Sequence, residues 1–149
     1  VDFVGNLYGN ALETDNAYYK KIKKLAQKLE EKGKIIFHTA VPNYKTPKIY
    51  NQNEIFVNLT GSGSFDKTIL EAMACGCLVV ASNQSLKNTL PGQFLFKEGN
   101  ADDLAQKLRG VMSLSEEDKE AHKTNFHRYA GEHSLTHLAG RLFAIFAEM

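Results

Sequence analysis

Hydrophobic positions along the chain alternate between short continuous runs and stretches in which they recur every three or four residues. The short runs each predict a β-strand, the last one weaker than the others, and they lie at residues 1–4, 35–37, 55–59, 78–81 and 94–96. The stretch after the first run has the pattern of an amphipathic helix that ends at a glycine, with key positions Tyr18, Ile22, Leu25, Leu29 and Gly33. The run at residues 78–81 is continuously apolar, so this strand should be buried on both faces of its sheet.

Capping residues predict where the C-terminal helices begin. Asn100, Ser115 and Ser134 each precede a helical pattern and have side chains that accept hydrogen bonds from helix N-termini. The helix after Asn100 should turn Leu104, Leu108 and Val111 inward. The last helix carries the apolar positions Leu138, Leu142, Ile145 and Phe146.

The middle of the chain continues the alternation of strands and helices. Thr46 and Pro47 predict a short helix through Tyr50, and a second helix over residues 67–75 should end at Gly76 in the left-handed conformation. This order predicts an α/β fold, a doubly wound Rossmann-like parallel sheet with helices on both faces, and one domain over residues 1–149. Ligands bind such sheets at the carboxyl ends of the strands. The loops expected there follow Val4, Phe37, Leu59 and Ala81.

The most distinctive segment is residues 61–76, a small-residue loop followed by a helix, with the sequence GSGSFDKTILEAMACG. Such a loop exposes backbone N–H groups at the positive end of a helix, which stabilises an anion by about 0.3–1 kcal/mol. Glu71 lies about two turns further along, where its carboxylate can accept hydrogen bonds from a diol such as ribose. The segment therefore predicts a nucleotide-binding site.

Charge and hydropathy narrow the class of partner. The 149 residues include 18 basic and 17 acidic side chains, so no overall positive field favours nucleic acid, and we expect none as a partner. The basic run at residues 20–24 should be the solvated face of a helix, with peripheral contact to an anionic membrane surface in the full-length protein as the alternative. Because no apolar run is long enough to span a membrane and no leader is visible, we expect a cytoplasmic protein.

Residue 1 lies within a predicted strand, so we expect a fragment of a longer protein.

The cysteines and histidines do not indicate a metal site. Cys75 and Cys77 flank Gly76, which is too close for a comfortable disulfide and lacks the second pair that zinc requires, so we expect reduced thiols. His133 and His137 have no acidic residue that would complete a zinc-binding helix motif. The chain also lacks an aspartate-x-aspartate pair that would hold a divalent ion on a diphosphate. We therefore expect no metal and no other cofactor.

Residues 70–76, with the sequence LEAMACG, and residues 79–82, with VVAS, carry a resemblance to a known family. They resemble the C-terminal, donor-binding domain of GT-B glycosyltransferases, specifically the retaining enzymes of glycosyltransferase family four. The resemblance covers most of the chain: Val4 and Gly5 look like the family's turn from strand to glycine, and residues 50–60 look like the segment that leads to its nucleotide loop.

The resemblance implies a set of binding residues. In that family, the glutamate that matches Glu71 holds the ribose hydroxyls of a sugar nucleotide. Backbone amides approach the sugar and diphosphate at Ser64, Phe65, Asp66, Lys67 and Thr68. The phosphate side is lined by a loop at Gly5 and Asn6, and the strand end near the base contains Phe37, His38 and Thr39. The Lys67 side chain either pairs with phosphate or points to solvent.

One position of the binding loop departs from the family pattern. Counting back from Glu71 by the family's spacing places Gly63 where a second glutamate usually contacts the transferred sugar. We predict that Asp66 replaces this carboxylate as the catalytic residue, with a helix first-turn acid as the alternative. Gly61 and Gly63 either contact phosphate or sugar or serve a tight turn.

The resemblance also implies an activity for the complete protein. A retaining hexosyltransferase moves a sugar from a nucleotide diphosphate sugar to an acceptor. Its acceptor-binding N-terminal domain, and the arginine and lysine that neutralise the diphosphate, are expected upstream, so these 149 residues alone should be inactive. Two alternatives stay open: a non-catalytic nucleotide-binding module of the same fold, and a flavodoxin-like or receiver-like binding domain.

Overall fold

The computed structural model describes residues 5–9, 17–39, 41–63 and 66–147. These residues form strands β1 (Gly5–Gly9), β2 (Ile35–Thr39), β3 (Ile55–Asn58) and β4 (Leu78–Ala81). The helices are α1 (Ala17–Glu31), α2 (Thr46–Tyr50), α3 (Lys67–Ala74), α4 (Ala101–Met112), α5 (Glu116–Glu132) and α6 (Leu135–Ala147). Both strand pairs are parallel with helices between the strands, so the α/β fold class is confirmed. The chain divides into two compact units, Val1–Lys45 and Thr46–Met149, and the single domain stays a prediction.

The first unit pairs β1 with β2, from Gly5 opposite Ile35 to Gly9 opposite Thr39. The strand predicted at residues 1–4 lies outside the described residues, and the loop predicted after Val4 is wrong for residues 5–9, which form β1. Gly and Asn are weak strand formers, but pairing along the whole of β2 outweighs this local preference. Gly5 and Asn6 therefore belong to a strand rather than to a binding loop.

The predicted helix after β1 is confirmed as α1, and Gly33 follows it with a φ of 66°. Its apolar stripe is not buried among the described residues, since Leu25 is 71% exposed and Ala26 is the buried residue of the helix. The contacts of α1 with β2 centre on Phe37. The ring of Tyr19 meets it edge-on at 6.1 Å, and the Lys23 ammonium lies 4.4 Å from its centroid.

The second unit is built around β4. It pairs with β3 from Ile55 opposite Leu78 to Asn58 opposite Ala81, and all four residues of β4 are buried, as predicted. Helix α3 connects these strands and ends before Gly76, whose φ of 81° confirms the predicted left-handed turn. Buried side chains of α3, β4, α5 and the turn at residues 92–94 form one core whose members include Ile69, Met73, Val79, Phe94, Phe126 and Ala130.

The fifth strand predicted at residues 94–96 is wrong. Gly92–Phe94 forms a 3₁₀ turn, and Leu95 makes a single parallel bridge to Ala81. The cause is local: the amide of Phe94 donates to the carbonyl of Pro91 at 2.9 Å, and that of Leu95 donates to Gly92 at 3.3 Å. These donors are not available to a strand ladder, so the segment only touches the carboxyl end of β4.

The C-terminal helices begin where their caps predict. Asn100 accepts from the amide of Asp103, and Ser115 accepts from the amide of Asp118. The apolar positions predicted on the last helix are found on α6 but are exposed, from 44% at Leu138 to 68% at Phe146. Within the described ranges, no helix combines the length and apolar character needed to cross a bilayer.

Candidate functional site

The glycine loop, residues 61–63, lies between β3 and α3 at the carboxyl end of the β3–β4 pair. Gly63 has a φ of 98°, a left-handed conformation that favours glycine. Ser64 and Phe65, both predicted to bind the ligand, lie outside the described residues. In the second unit, the described part of the predicted site is therefore the glycine loop together with Asp66 and helix α3.

Asp66 is the centre of a hydrogen-bond cluster at the start of α3. Its Oδ1 accepts from the amide of Thr68 at 3.0 Å and from the hydroxyl of Thr68 at 2.7 Å. Its Oδ2 accepts from Asn58 Nδ2 and from Thr60 Oγ1, each at 2.9 Å. Partial burial alone would raise the pKa of Asp66, but the bonds from Thr68, Asn58 and Thr60 outweigh it and lower the pKa below its usual value.

This cluster bears on two predictions. Asp66 is the N-cap of α3, one position before the first helical turn, and four donors fill its two oxygens. This structural role is close to the first-turn alternative without matching it, and the catalytic role of Asp66 stays a prediction. The Thr68 amide donates to Asp66, and its predicted approach to a ligand stays a prediction. Lys67 is exposed at the first helical position, and its amide has no acceptor among the described residues.

Sequence reasoning missed Asn58 in this cluster. Asn58 is 5% exposed, and its Oδ1 accepts from the amide of Thr60 at 3.1 Å while its Nδ2 donates to Asp66. The signal was a polar residue that ends the apolar strand IFVN directly before the glycine loop. Such a residue can fold the first turn of a loop back toward its own strand.

Glu71 lies half-buried on α3, where the hydroxyl of Tyr50 donates to its Oε2 at 3.4 Å. Burial is the largest cause that raises the pKa of Tyr50 well above its usual value, and the negative charge of Glu71 is the next. The phenol therefore stays protonated and can donate its hydrogen to Glu71. The ring of Tyr50 packs edge-on against Phe56 at 5.6 Å. The predicted site did not include Tyr50. The sequence predicted only that this residue ends a short helix.

The glycine loop is also tied to segments beyond α3. Ser82, just after β4, donates from its hydroxyl to the carbonyl of Thr60 at 3.3 Å. Ser62 accepts from the amide of Gln84 at 3.0 Å through its hydroxyl. The amide of Ser62 donates to the Oε2 of Glu98 at 3.3 Å. The loop is therefore held by two parts of the second unit, the segment just after β4 and Glu98, and the contact with Glu98 was not foreseen.

The remaining predicted ligand residues lie in the first unit. His38 and Thr39 are the last two residues of β2, so the predicted strand-end location is confirmed. Gly5 and Asn6 begin β1 at its amino end, which corrects their assignment to a loop at the carboxyl end. The contacts of these four residues with a nucleotide stay predictions.

Cys75 and Cys77 are free thiols, as the sequence predicted. Burial is the main cause that raises the pKa of Cys77 to about 11, and its sulfur donates to the carbonyls of Tyr50 and Asn53, each at 3.3 Å. In the described part of the chain, no three histidine, cysteine or acidic side chains group as they would around a metal ion. That the protein works without a metal stays a prediction.

Two solved structures are similar to this chain. Sucrose-phosphate synthase from Thermosynechococcus elongatus superposes with a TM-score of 0.73 at 19% identity, over 97% of this chain and 39% of that one. The catalytic domain of cholesterol-α-glucosyltransferase from Helicobacter pylori superposes with a TM-score of 0.71 at 20% identity, over 90% of this chain and 100% of that one. At these identities the likeness shows the fold, one α/β half of a GT-B glycosyltransferase.

Sequence comparison identifies the family. No curated protein sequence gives a significant match. The sequence profile described as "Glycosyl transferases group 1" matches residues 2–128, which is most of the chain. The chain therefore belongs to the glycosyl transferases group 1 family.

Proposed function

We propose that this chain is the donor-binding, C-terminal part of a retaining hexosyltransferase that takes its sugar from a nucleotide diphosphate sugar. The observation that carries the proposal is the hydrogen-bonded glycine loop at residues 61–63 near the start of α3, with Glu71 one turn beyond the first helical residue. A glycine loop, a helix N-terminus and a half-buried carboxylate at the ends of parallel strands suit a diphosphate next to a ribose. The family match supports a sugar-transfer reaction.

The Asp66 carboxylate affects how a diphosphate would be held. It adds a negative charge at the N-terminus of α3, which offsets part of the helix dipole there. The amide and the ammonium of Lys67 then become the main anion-binding groups on the described part of this turn, because the Thr68 amide is already bonded. We therefore choose the alternative in which the Lys67 side chain pairs with phosphate.

In the proposed sugar-transfer reaction, the sugar develops oxocarbenium character while its bond to the diphosphate breaks, and the diphosphate gains negative charge. Donors that are already in place when that charge appears are each worth about 2.7–4 kcal/mol. Asp66 serves the reaction by holding the turn so that the Lys67 amide is preoriented. Further positive charge and the acceptor site would come from a domain outside these residues.

A non-catalytic nucleotide-binding module is the second candidate. It is favoured by Gly63, which occupies the position of a family glutamate and has a φ of 98°. A glutamate there would be strained, so the chain is not one substitution away from the usual motif. Assays of the full-length protein with sugar nucleotides distinguish the candidates, because only the enzyme releases nucleoside diphosphate in the presence of an acceptor. The family match does not support a flavodoxin-like or receiver-like domain.

The proposal is tested by amide chemical-shift mapping of the chain with uridine, guanosine and adenosine diphosphates in turn. One of the three should shift the amides of Lys67 and Glu71. Glu71→Ala should weaken its binding by about 10- to 100-fold, because a lost hydrogen bond to a charged group costs about 1.5–3 kcal/mol. Glu117→Gln, which removes an exposed charge on α5, should leave the affinity unchanged. An unchanged dissociation constant for Glu71→Ala removes that residue from the site.

A further inference from the structure

A carboxylate from a distant part of the sequence lies against the glycine loop. Glu98 is 36 positions beyond Ser62, yet its Oε2 accepts from the Ser62 amide at 3.3 Å. A Cβ atom on Gly61 would lie only 2.6 Å from Oε1 and 3.3 Å from Cδ of the same side chain. The backbone at Gly61 can therefore approach this carboxylate only because glycine has no side chain.

The fold brings Glu98 to this place. Leu95 bridges to the last residue of β4, and the chain then continues past the carboxyl end of the β3–β4 pair. Glu98 therefore reaches the sheet edge at which Asn58 and the glycine loop lie. The contact follows from parallel pairing and is invisible in any local sequence window.

Glu98 differs from Asp66 in how its oxygens are used. Asp66 has four donors, whereas the described residues supply Glu98 with one donor, the Ser62 amide, on Oε2. No lysine, arginine or histidine among the described residues forms an ion pair with Glu98, and its side chain is exposed. An ionised carboxylate accepts up to about four hydrogen bonds, so Glu98 retains capacity for further donors.

This remaining capacity favours one class of ligand group. A carboxylate repels phosphate oxygens but accepts hydrogen bonds from hydroxyl groups, and its two oxygens can take two neighbouring hydroxyls. In a sugar nucleotide, the transferred sugar is the part beside the diphosphate that offers such hydroxyls.

We propose that Glu98 binds hydroxyl groups of the transferred sugar and supplies the carboxylate that the chain lacks at Gly63. This inference rests on the proposed function. It assigns sugar recognition to the segment before α4, whereas Glu71 and Lys67 recognise the nucleotide part. Glu98 is then a specificity-determining residue for the sugar.

The test compares a nucleoside diphosphate with two sugar derivatives of it. Calorimetry measures the dissociation constants of the bound nucleoside diphosphate and of its glucose and mannose derivatives, for the unchanged chain and for Glu98→Ala. We expect Glu98→Ala to weaken binding of one sugar nucleotide by about 10- to 100-fold while the diphosphate binds as before. The control is Glu117→Gln, which should change neither constant.

Gly61→Ala is a second, independent variant. Its methyl group occupies the space of Oε1 and moves the flexible end of Glu98 away while the negative charge stays in the protein. It should weaken binding of the same sugar nucleotide more than it weakens binding of the diphosphate. Thermal melts of both variants check that the fold is retained.

Three results would overturn the inference. Equal losses for the diphosphate and the sugar nucleotide would make Glu98 only a support of the loop. Tighter binding of both after Glu98→Ala would make its carboxylate a competitor of phosphate, and unchanged binding would remove it from the site. If the unchanged chain binds none of the three nucleoside diphosphates, the proposed function fails first and this inference falls with it.

Discussion

Replacing Asp66 with alanine removes four hydrogen bonds at once, and the structure indicates how much each should matter. Loss of the N-cap of α3 costs about 1 kcal/mol. The greater cost falls on Asn58, which is 5% exposed and would keep a buried amide without its acceptor, at about 1–3 kcal/mol. The hydroxyls of Thr60 and Thr68 are half-buried and can turn toward water. We expect a total loss of about 2–4 kcal/mol in the free energy of unfolding.

Urea unfolding followed by circular dichroism measures this loss, and Asn100→Ala is the matched control. Asn100 also caps a helix but is exposed, and within the described ranges its side chain bonds the Asp103 amide alone, so its loss should cost about 1 kcal/mol. Asp66→Asn is a finer probe, because it keeps an acceptor for the Thr68 amide but turns an NH₂ group toward the donor of Asn58. Its cost should lie between the other two. If Asp66→Ala lowers the free energy of unfolding no more than Asn100→Ala does, the buried Asn58 amide is not left without an acceptor and the argument is refuted.

Three further predictions follow from the same geometry. Because the pKa of Asp66 is lowered in the folded protein, its stabilising effect is complete above the usual aspartate pKa of about 3.9 and is lost as the pH falls through the lower folded value. The test measures urea unfolding midpoints as the pH is lowered from 6, which is about two units above that pKa. The midpoint should fall more steeply with pH for the unchanged chain than for Asp66→Asn, and parallel curves would contradict this. Tyr50→Phe should weaken nucleotide diphosphate binding by about 2- to 10-fold through the lost bond to Glu71, with little change in the melting temperature because the ring is kept; equal affinities would show that the phenol does not position the carboxylate. Cys77 is buried and has its pKa raised to about 11, so it should resist iodoacetamide at pH 8 until the protein unfolds. Rapid alkylation of Cys77 itself in the native chain would contradict the packing around β4.

Local signals account for the predictions that are confirmed. Gly76 ends α3 with a positive φ, and Asn100 and Ser115 cap α4 and α5, because each of these effects depends on a few neighbouring residues. The burial of β4 on both faces could also be predicted locally, because a continuous apolar run is by itself typical of a buried strand.

The errors fall where pairing between distant segments competes with local preference. Gly5 and Asn6 look like loop residues, but β2 offers them a complete set of ladder partners. Leu95 looks like a strand residue, yet the 3₁₀ turn at Gly92–Phe94 takes the hydrogen bonds that a strand would need. In both cases the outcome depends on which backbone groups are free when the segments meet.

By itself, the sequence determined the α/β fold class, the helix boundaries and the location of the glycine loop before Glu71. Only the tertiary structure decided what the acidic residues near that loop do. It fills both oxygens of Asp66 from Asn58, Thr60 and Thr68, and it brings Glu98 to the amide of Ser62. The physical reason is that a carboxylate's role depends on its donors, and these come from segments that only the folded chain brings together.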